Sequence, residues 1–221
     1  MGLQTAQRRA LVAGGTGRLG RAIVERLRRD GWTVVAAGSA DGDVRRPSEA
    51  RALVERARDE LGGLDLLVCA QGDGFAPKRV EDLTEADWDE AVDVTAKATF
   101  FLAQAAAPAL RESRGLVVVL EDVAAFQPWP SFAAHCAAKA AQAMLTRVLA
   151  RAFAPEIRVC GIAPGAVTVA PDEEERRAAE TLLRRVGSPD DVAHAVAYLV
   201  DATFVTGTTL VVDGGRLIRS R

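Results

Sequence analysis

Tyrosine is nearly missing from this 221-residue chain: one occurs, Tyr198, alongside two histidines and three cysteines. The cysteines, Cys69, Cys136 and Cys160, are odd in number and form no Cys-x-x-Cys pair, which excludes a disulfide framework. They predict a reducing, cytoplasmic setting in which each is a small buried hydrophobe. A metal site is not expected: Asp122, His135 and Cys136 are the nearest to one, and adjacent helix residues point in different directions. Charge of one sign is also lacking. A formal net charge of −2 leaves no basic footprint for nucleic acid. No apolar run reaches the roughly 18 residues that span a bilayer, so no membrane partner is expected. Residues 1–7 lack the apolar centre of a secretory leader. What is abundant is hydrophobic residues, at 49%. A chain of this length buries roughly 70% of its unfolded surface, enough for one well-filled core and a single domain over residues 1–221.

Apolar runs of strand length alternate with longer helical patterns from end to end. This predicts an α/β fold with a doubly wound parallel sheet, covered by helices on both faces. Strands are expected at residues 8–13, 32–37, 64–69, 116–120, 158–162 and 210–212. Helices are expected at 19–29, 48–61, from Thr84 to about 110, and at 131–154. A last helix opens at Ser188-Pro189-Asp190-Asp191, which supplies a cap, a proline at the first position and acidic first-turn residues. Thr84 and Asp87 make a capping box, and Pro108 should disturb the final turn of the helix that box begins. The charge run at 172–177 reads as a solvated helix face. Tyr198 and His194, on the last helix, read as structural.

Between the first strand and helix lies Ala13-Gly14-Gly15-Thr16-Gly17-Arg18-Leu19-Gly20. Glycines in that place let backbone N–H groups and a helix N-terminus approach a pyrophosphate. The turn resembles the T-G-x-x-x-G-x-G motif of the short-chain dehydrogenase/reductase family, with Ala13 for the threonine and Arg18 for the middle glycine. In its arginine it is similar to the pteridine-reductase branch. That likeness implies that the Arg18 guanidinium helps hold cofactor phosphates; a solvent-exposed residue at a helix start is the alternative. At the end of the second strand stand Gly38-Ser39, with no carboxylate before Asp41, which favours NADP with NAD the alternative. The chain then runs at once into Asp43-Val44, which looks like the family's adenine-contacting pair, so a usual helix and much of a strand are missing. The resemblance implies a Rossmann fold and a nucleotide held by Gly14, Thr16, Gly17, Arg18, Leu19, Gly20, Ser39, Asp43, Val44, Ala70, Gln71, Lys139, Pro164 and Gly165.

In the family a tyrosine, a lysine four residues later, a serine thirteen residues before the tyrosine and an asparagine on the preceding helix serve catalysis. Here His135 stands at the tyrosine position, Lys139 matches the lysine, Asp122 takes the serine's place and Asp93 falls at the asparagine's, within Val92-Asp93-Val94. An aspartate for the serine again resembles the pteridine reductases. Histidine is a competent general acid, its side chain ordinarily titrating near pH ~6.5 against ~10 for tyrosine. Lys139, at i+4 on the same helix face, would disfavour the imidazolium, and Asp122, if close, would favour it. Three readings therefore stand. One is an NADP-dependent reductase of a carbonyl, imine or pterin-like small molecule, with His135 as proton donor; another is a redox-silent relative performing elimination, isomerisation or cyclisation; the third is a scaffold subunit. Trp129, between Asp122 and His135, reads either as an aromatic platform for substrate or as loop packing. The family likeness implies a homodimer or homotetramer formed through the two long helices.

Overall fold

A computed structural model describes residues 8–219 apart from 73 and 75; the reading of residues 1–7 lies outside the described residues. Six strands form one fully parallel sheet in the order β2-β1-β3-β4-β5-β6. They are β1 (Arg9–Ala13), β2 (Thr33–Ala37), β3 (Leu66–Cys69), β4 (Leu116–Leu120), β5 (Arg158–Pro164) and β6 (Thr209–Val212). The helices are α1 (Arg18–Arg29), α2 (Pro47–Leu61), α3 (Glu85–Val92), α4 (Ala98–Ser113), α5 (Ala133–Phe153), α6 (Glu174–Ala179) and α7 (Pro189–Asp201).

Central strands buried on both faces explain the continuous apolar runs. Along β1, Ala10 and Val12 face a core shared with α1 and α7, while Leu11 and Ala13 face a second core built with α2, α4 and α5. Capping follows the sequence closely. Asp87 N–H donates to Thr84 Oγ1 and Thr84 N–H to Asp87 Oδ2, and Ser188 and Asp191 repeat the arrangement at the head of α7.

Two local expectations need correction. The long helix from Thr84 is interrupted by a π turn at Asp93–Lys97, where Thr95 Oγ1 donates to Ala91 O four residues back. Beyond it α4 runs through Pro108 to Ser113, so the proline lies inside the helix and not in its final turn. The shortened adenine region is visible as topology. A three-residue 3-10 turn, Ser39–Asp41, carries the chain from β2 towards α2, and β2 is left as an edge of the sheet.

From β1 the chain moves one way to β2 and then returns to place β3 on the opposite side of β1. Such a reversal of strand order opens a crevice outside the carboxyl ends of the strands. Its walls are the turn after β1 and the segment Ala70-Gln71-Gly72 after β3.

Candidate active site

The turn after β1 is packed too closely for any side chain at its key position. Gly14 has φ +81°, and a Cβ there would sit 2.5 Å from the backbone of Ala70 and Gln71. Gly20 is pressed onto Gly14 in turn, with a would-be Cβ 2.1 Å from Gly14 O. Gly17 heads α1 with no side chain capping the first helical N–H groups, which leaves those donors, at the positive end of the helix dipole, without a side-chain acceptor.

Two cavities meet at Ala70-Gln71-Gly72. The smaller, about 380 Å³, is lined by Gly14, Thr16, Ser39, Asp43 and Val44. On its rim the Arg45 guanidinium binds Asp43 at 2.8 Å and Glu90 at 2.5 Å, and holds the Asp43 carboxyl below its usual range. The larger, about 570 Å³, is lined by Leu19, Asp122, His135, Lys139, Pro164 and Gly165. Four of the expected residues line neither cavity. Gly17 and Gly20 shape the turn from behind, and Arg18 is exposed at the first position of α1. Asp93 lies in the π turn with its carboxylate 3.0 Å from Lys97 Nζ and lines neither cavity.

In the larger cavity α5 presents His135 and Lys139 one turn apart, both buried. Asp122 follows β4: its Oδ1 accepts the Ala124 N–H at 2.7 Å, and its Oδ2 lies 3.9 Å from His135 Nε2. Lys139 Nζ donates to Leu120 O and to Gln142 Oε1, each at 3.0 Å. Gln142 Nε2 donates to Thr99 Oγ1 at 2.8 Å, and Thr99 Oγ1 also accepts from Gln71 Nε2 at 3.0 Å. This buried chain ties the lysine on α5 to the crevice wall through α4. Its far end is open: Gln71 Oε1 is buried with no hydrogen-bond partner and lines both cavities.

Sequence reasoning missed several of these groups. Gln142 and Thr146 continue a polar stripe, 135, 139, 142 and 146, along an alanine-rich helix; the spacing is visible in the sequence, and all four are buried. Glu121 gave no signal. It is buried, and its carboxylate accepts from Thr146 Oγ1 at 2.6 Å and Thr209 Oγ1 at 2.8 Å, in space left by Gly161. Burial pushes its pKa up, against those hydrogen bonds and the charge of Lys139. In the charge run 172–177, Asp172, Glu174, Glu175 and Arg176 are exposed as expected, whereas Glu173 and Arg177 line the larger cavity. Asp41 folds back on β2, with Oδ2 accepting the Gly38 N–H at 2.8 Å, so a carboxylate does stand at that strand's end.

Cys136 and Tyr198 are less buried than the sequence suggested. Tyr198 and His194 are exposed on α7 and line neither cavity. Cys69 and Cys160 are buried, and burial pushes the Cys69 thiol up to about 12; Cys136 is half-buried. Among the described residues there is no cluster of metal-ligating side chains and no helix long and apolar enough to cross a membrane.

A glycine cradle that a Cβ would fill, an uncapped helix start and a buried amide oxygen left for a donor fit a dinucleotide, its phosphates at the turn and a ribose beside Gln71 and Lys139. Comparisons with known proteins agree. A family model described as enoyl-(acyl carrier protein) reductase matches residues 22–216. Dehydrogenase/reductase SDR family member 4 of Homo sapiens is 33% identical, over 95% of this chain and 87% of its own length. The 3beta-hydroxysteroid dehydrogenase 1 of Eggerthella lenta is 33% identical, over 93% of this chain and 92% of its own. A solved 7α-hydroxysteroid dehydrogenase, complexed with NADH and 7-oxo glycochenodeoxycholic acid, superposes with a TM-score of 0.83 at 26% identity, covering 95% of this chain and 94% of that one. With its sheet order, its glycine turn and relatives matched over nearly their whole length, the chain belongs to the short-chain dehydrogenase/reductase family of NAD(P)-dependent oxidoreductases.

Proposed function

We propose that the protein reduces a carbonyl, imine or pterin-like small molecule with NAD(P)H, and that His135 stands in for the family tyrosine as proton donor. The observation that carries this reading is the convergence of His135, Asp122 and Lys139 on one cavity that shares the wall Ala70-Gln71-Gly72 with the cavity of the glycine turn. The nicotinamide supplies hydride when bound. Lys139, fixed by Leu120 O and Gln142, and Gln71 Oε1 would hold the adjoining ribose. Asp122, with one oxygen tied to the Ala124 N–H, turns the other towards the imidazole. His135 Nε2 then gives its proton to the substrate heteroatom that hydride transfer leaves electron-rich. The pteridine-reductase-like reading rests on Arg18 and Asp122; Asp122 faces His135, whereas Arg18 lies outside both cavities.

NADPH is the cofactor favoured by Arg18 and Ser39. One observation favours NADH instead: the Asp41 carboxylate at the end of β2 would repel a 2′-phosphate, and Arg45, the nearby cation, is neutralised by Asp43 and Glu90. Calorimetric titration with both cofactors tests this. Asp41→Asn raises NADPH affinity relative to NADH if the carboxylate discriminates, and binding of neither cofactor removes the reductase reading. Oxidation of one nicotinamide per product excludes the redox-silent alternative; product formed without any change in nicotinamide absorbance supports it. We also propose cytoplasmic residence and a homodimer or homotetramer paired through the long helical segments 85–110 and 131–154, with Met144 and Val148 of α5 exposed; light scattering reads the assembly.

A further inference from the structure

The larger cavity is also lined by groups with no part in hydride or proton transfer. Arg216 belongs to the turn after β6 and lines the cavity with its side chain only 14% exposed. Two hydrogen bonds fix its backbone: Asp213 accepts from Gly215 N–H and from Leu217 N–H, each at 2.7 Å. The guanidinium lies 5.0 Å above the ring of Trp129, which itself makes an edge contact with Phe132 at 6.1 Å. One guanidinium nitrogen, Nη2, is 2.8 Å from Glu180 Oε2.

Glu180 is heavily shared. It also takes Arg176 at 3.1 Å and Arg177 at 3.3 Å, and Glu173 pairs with the same two arginines. Of these groups only Arg177, Arg216 and Glu173 line the cavity, so this wall presents two guanidinium groups and one carboxylate. Asp172, Glu174 and Glu175 on the same segment do not line the cavity. A guanidinium has five N–H donors in a rigid fork, and Glu180 is the one acidic partner of Arg216 among the described residues. Arg216 is thus a largely buried guanidinium on the cavity wall, with one carboxylate to answer its five donors.

We propose that this wall is an anion subsite, with Arg216 its principal ligand and Arg177 its second cation, and that the substrate is a carbonyl compound bearing a carboxylate. The assignment rests on the reductase reading for which bond reacts, but not for whether the anion binds. Trp129 is then neither a bare platform nor simple packing: it holds the arginine in place.

The test is calorimetric titration with two compounds that share a carbonyl and differ in charge, 4-carboxybenzaldehyde and methyl 4-formylbenzoate, with and without NADPH. The acid should bind about tenfold more tightly than the ester, the ratio expected of a charge-assisted hydrogen bond in a partly enclosed site. In Arg216→Gln the ratio should fall to about one, with Arg216→Lys between. Because the ratio is read within each protein, a general loss of affinity cancels, and thermal unfolding of each variant reports its folding. Equal affinities in the wild type, preference for the ester, binding of neither compound, or a ratio that survives Arg216→Gln would each overturn the subsite. Consumption of NADPH is followed separately by absorbance, so an acid-selective protein that oxidises no nicotinamide would retain the subsite and lose the reductase reading.

Discussion

Asp122 turns one carboxylate oxygen to the Ala124 N–H at 2.7 Å and the other to His135 Nε2 at 3.9 Å, so the turn after β4 aims this carboxylate at the side chain held by α5. On the proposed mechanism the two act on one proton and should behave as one unit. His135→Gln is expected to lower kcat about 100-fold or more, the usual worth of a positioned general acid. Asp122→Asn should cost about tenfold, and the double variant should be no slower than His135→Gln alone. Steady-state nicotinamide absorbance measures all three; additive losses would show that the carboxylate acts elsewhere.

Lys139 is buried and satisfies both Leu120 O and Gln142 Oε1. Lys139→Met removes the donor of both bonds and should destabilise the protein by about 2–4 kcal/mol, the combined penalty for two buried acceptors left unpaired. Cofactor affinity should fall as well. Urea unfolding and calorimetry are the measurements.

Two glycines with nearly equal φ separate backbone strain from packing. Gly31, φ +85°, has nothing within 4 Å of a would-be Cβ, whereas Gly14, φ +81°, would place one 2.5 Å from Ala70 and Gln71. Gly31→Ala should cost about 1–2 kcal/mol, the strain of a left-handed residue alone. Gly14→Ala should cost at least about 3 kcal/mol and abolish cofactor binding, since the walls of the crevice must move apart. Unfolding midpoints with cofactor titrations check the pair.

Burial raises the pKa of Glu121 above its ordinary 4.5. Between 4.5 and the raised value the folded protein holds a proton that the unfolded chain has lost, so this group's contribution is fully present below 4.5 and disappears as pH rises through the folded pKa. Glu121→Gln cannot ionise. The stability of the wild type relative to this variant should therefore decline as pH climbs from about 4 towards neutrality, read by urea midpoints at a series of pH values. A constant difference would show that the carboxyl titrates normally.

Much of the fold could be read locally. Apolar strand runs, the capping boxes of Thr84 and Ser188, and Gly31 after α1 are properties of short segments, set by neighbouring backbone and side chains. The spacing that links Asp122, His135 and Lys139 is local too, because one strand end and one helix carry all three. The π turn escaped because nothing in residues 93–97 alone distinguishes it from an α-helical turn.

What the chain by itself determined was the parallel α/β order, the glycine turn and the residue types on α5. The tertiary structure decided which of those residues share a space. It put Asp93 on Lys97 and left Arg18 outside both cavities. It also brought Asp41 back to the end of β2, sank Glu121 beside Thr209, 88 residues away, and seated Arg216 over Trp129. Each of these depends on the direction in which a helix face or turn points once the sheet has been stacked, and side-chain spacing along one segment carries no information about that.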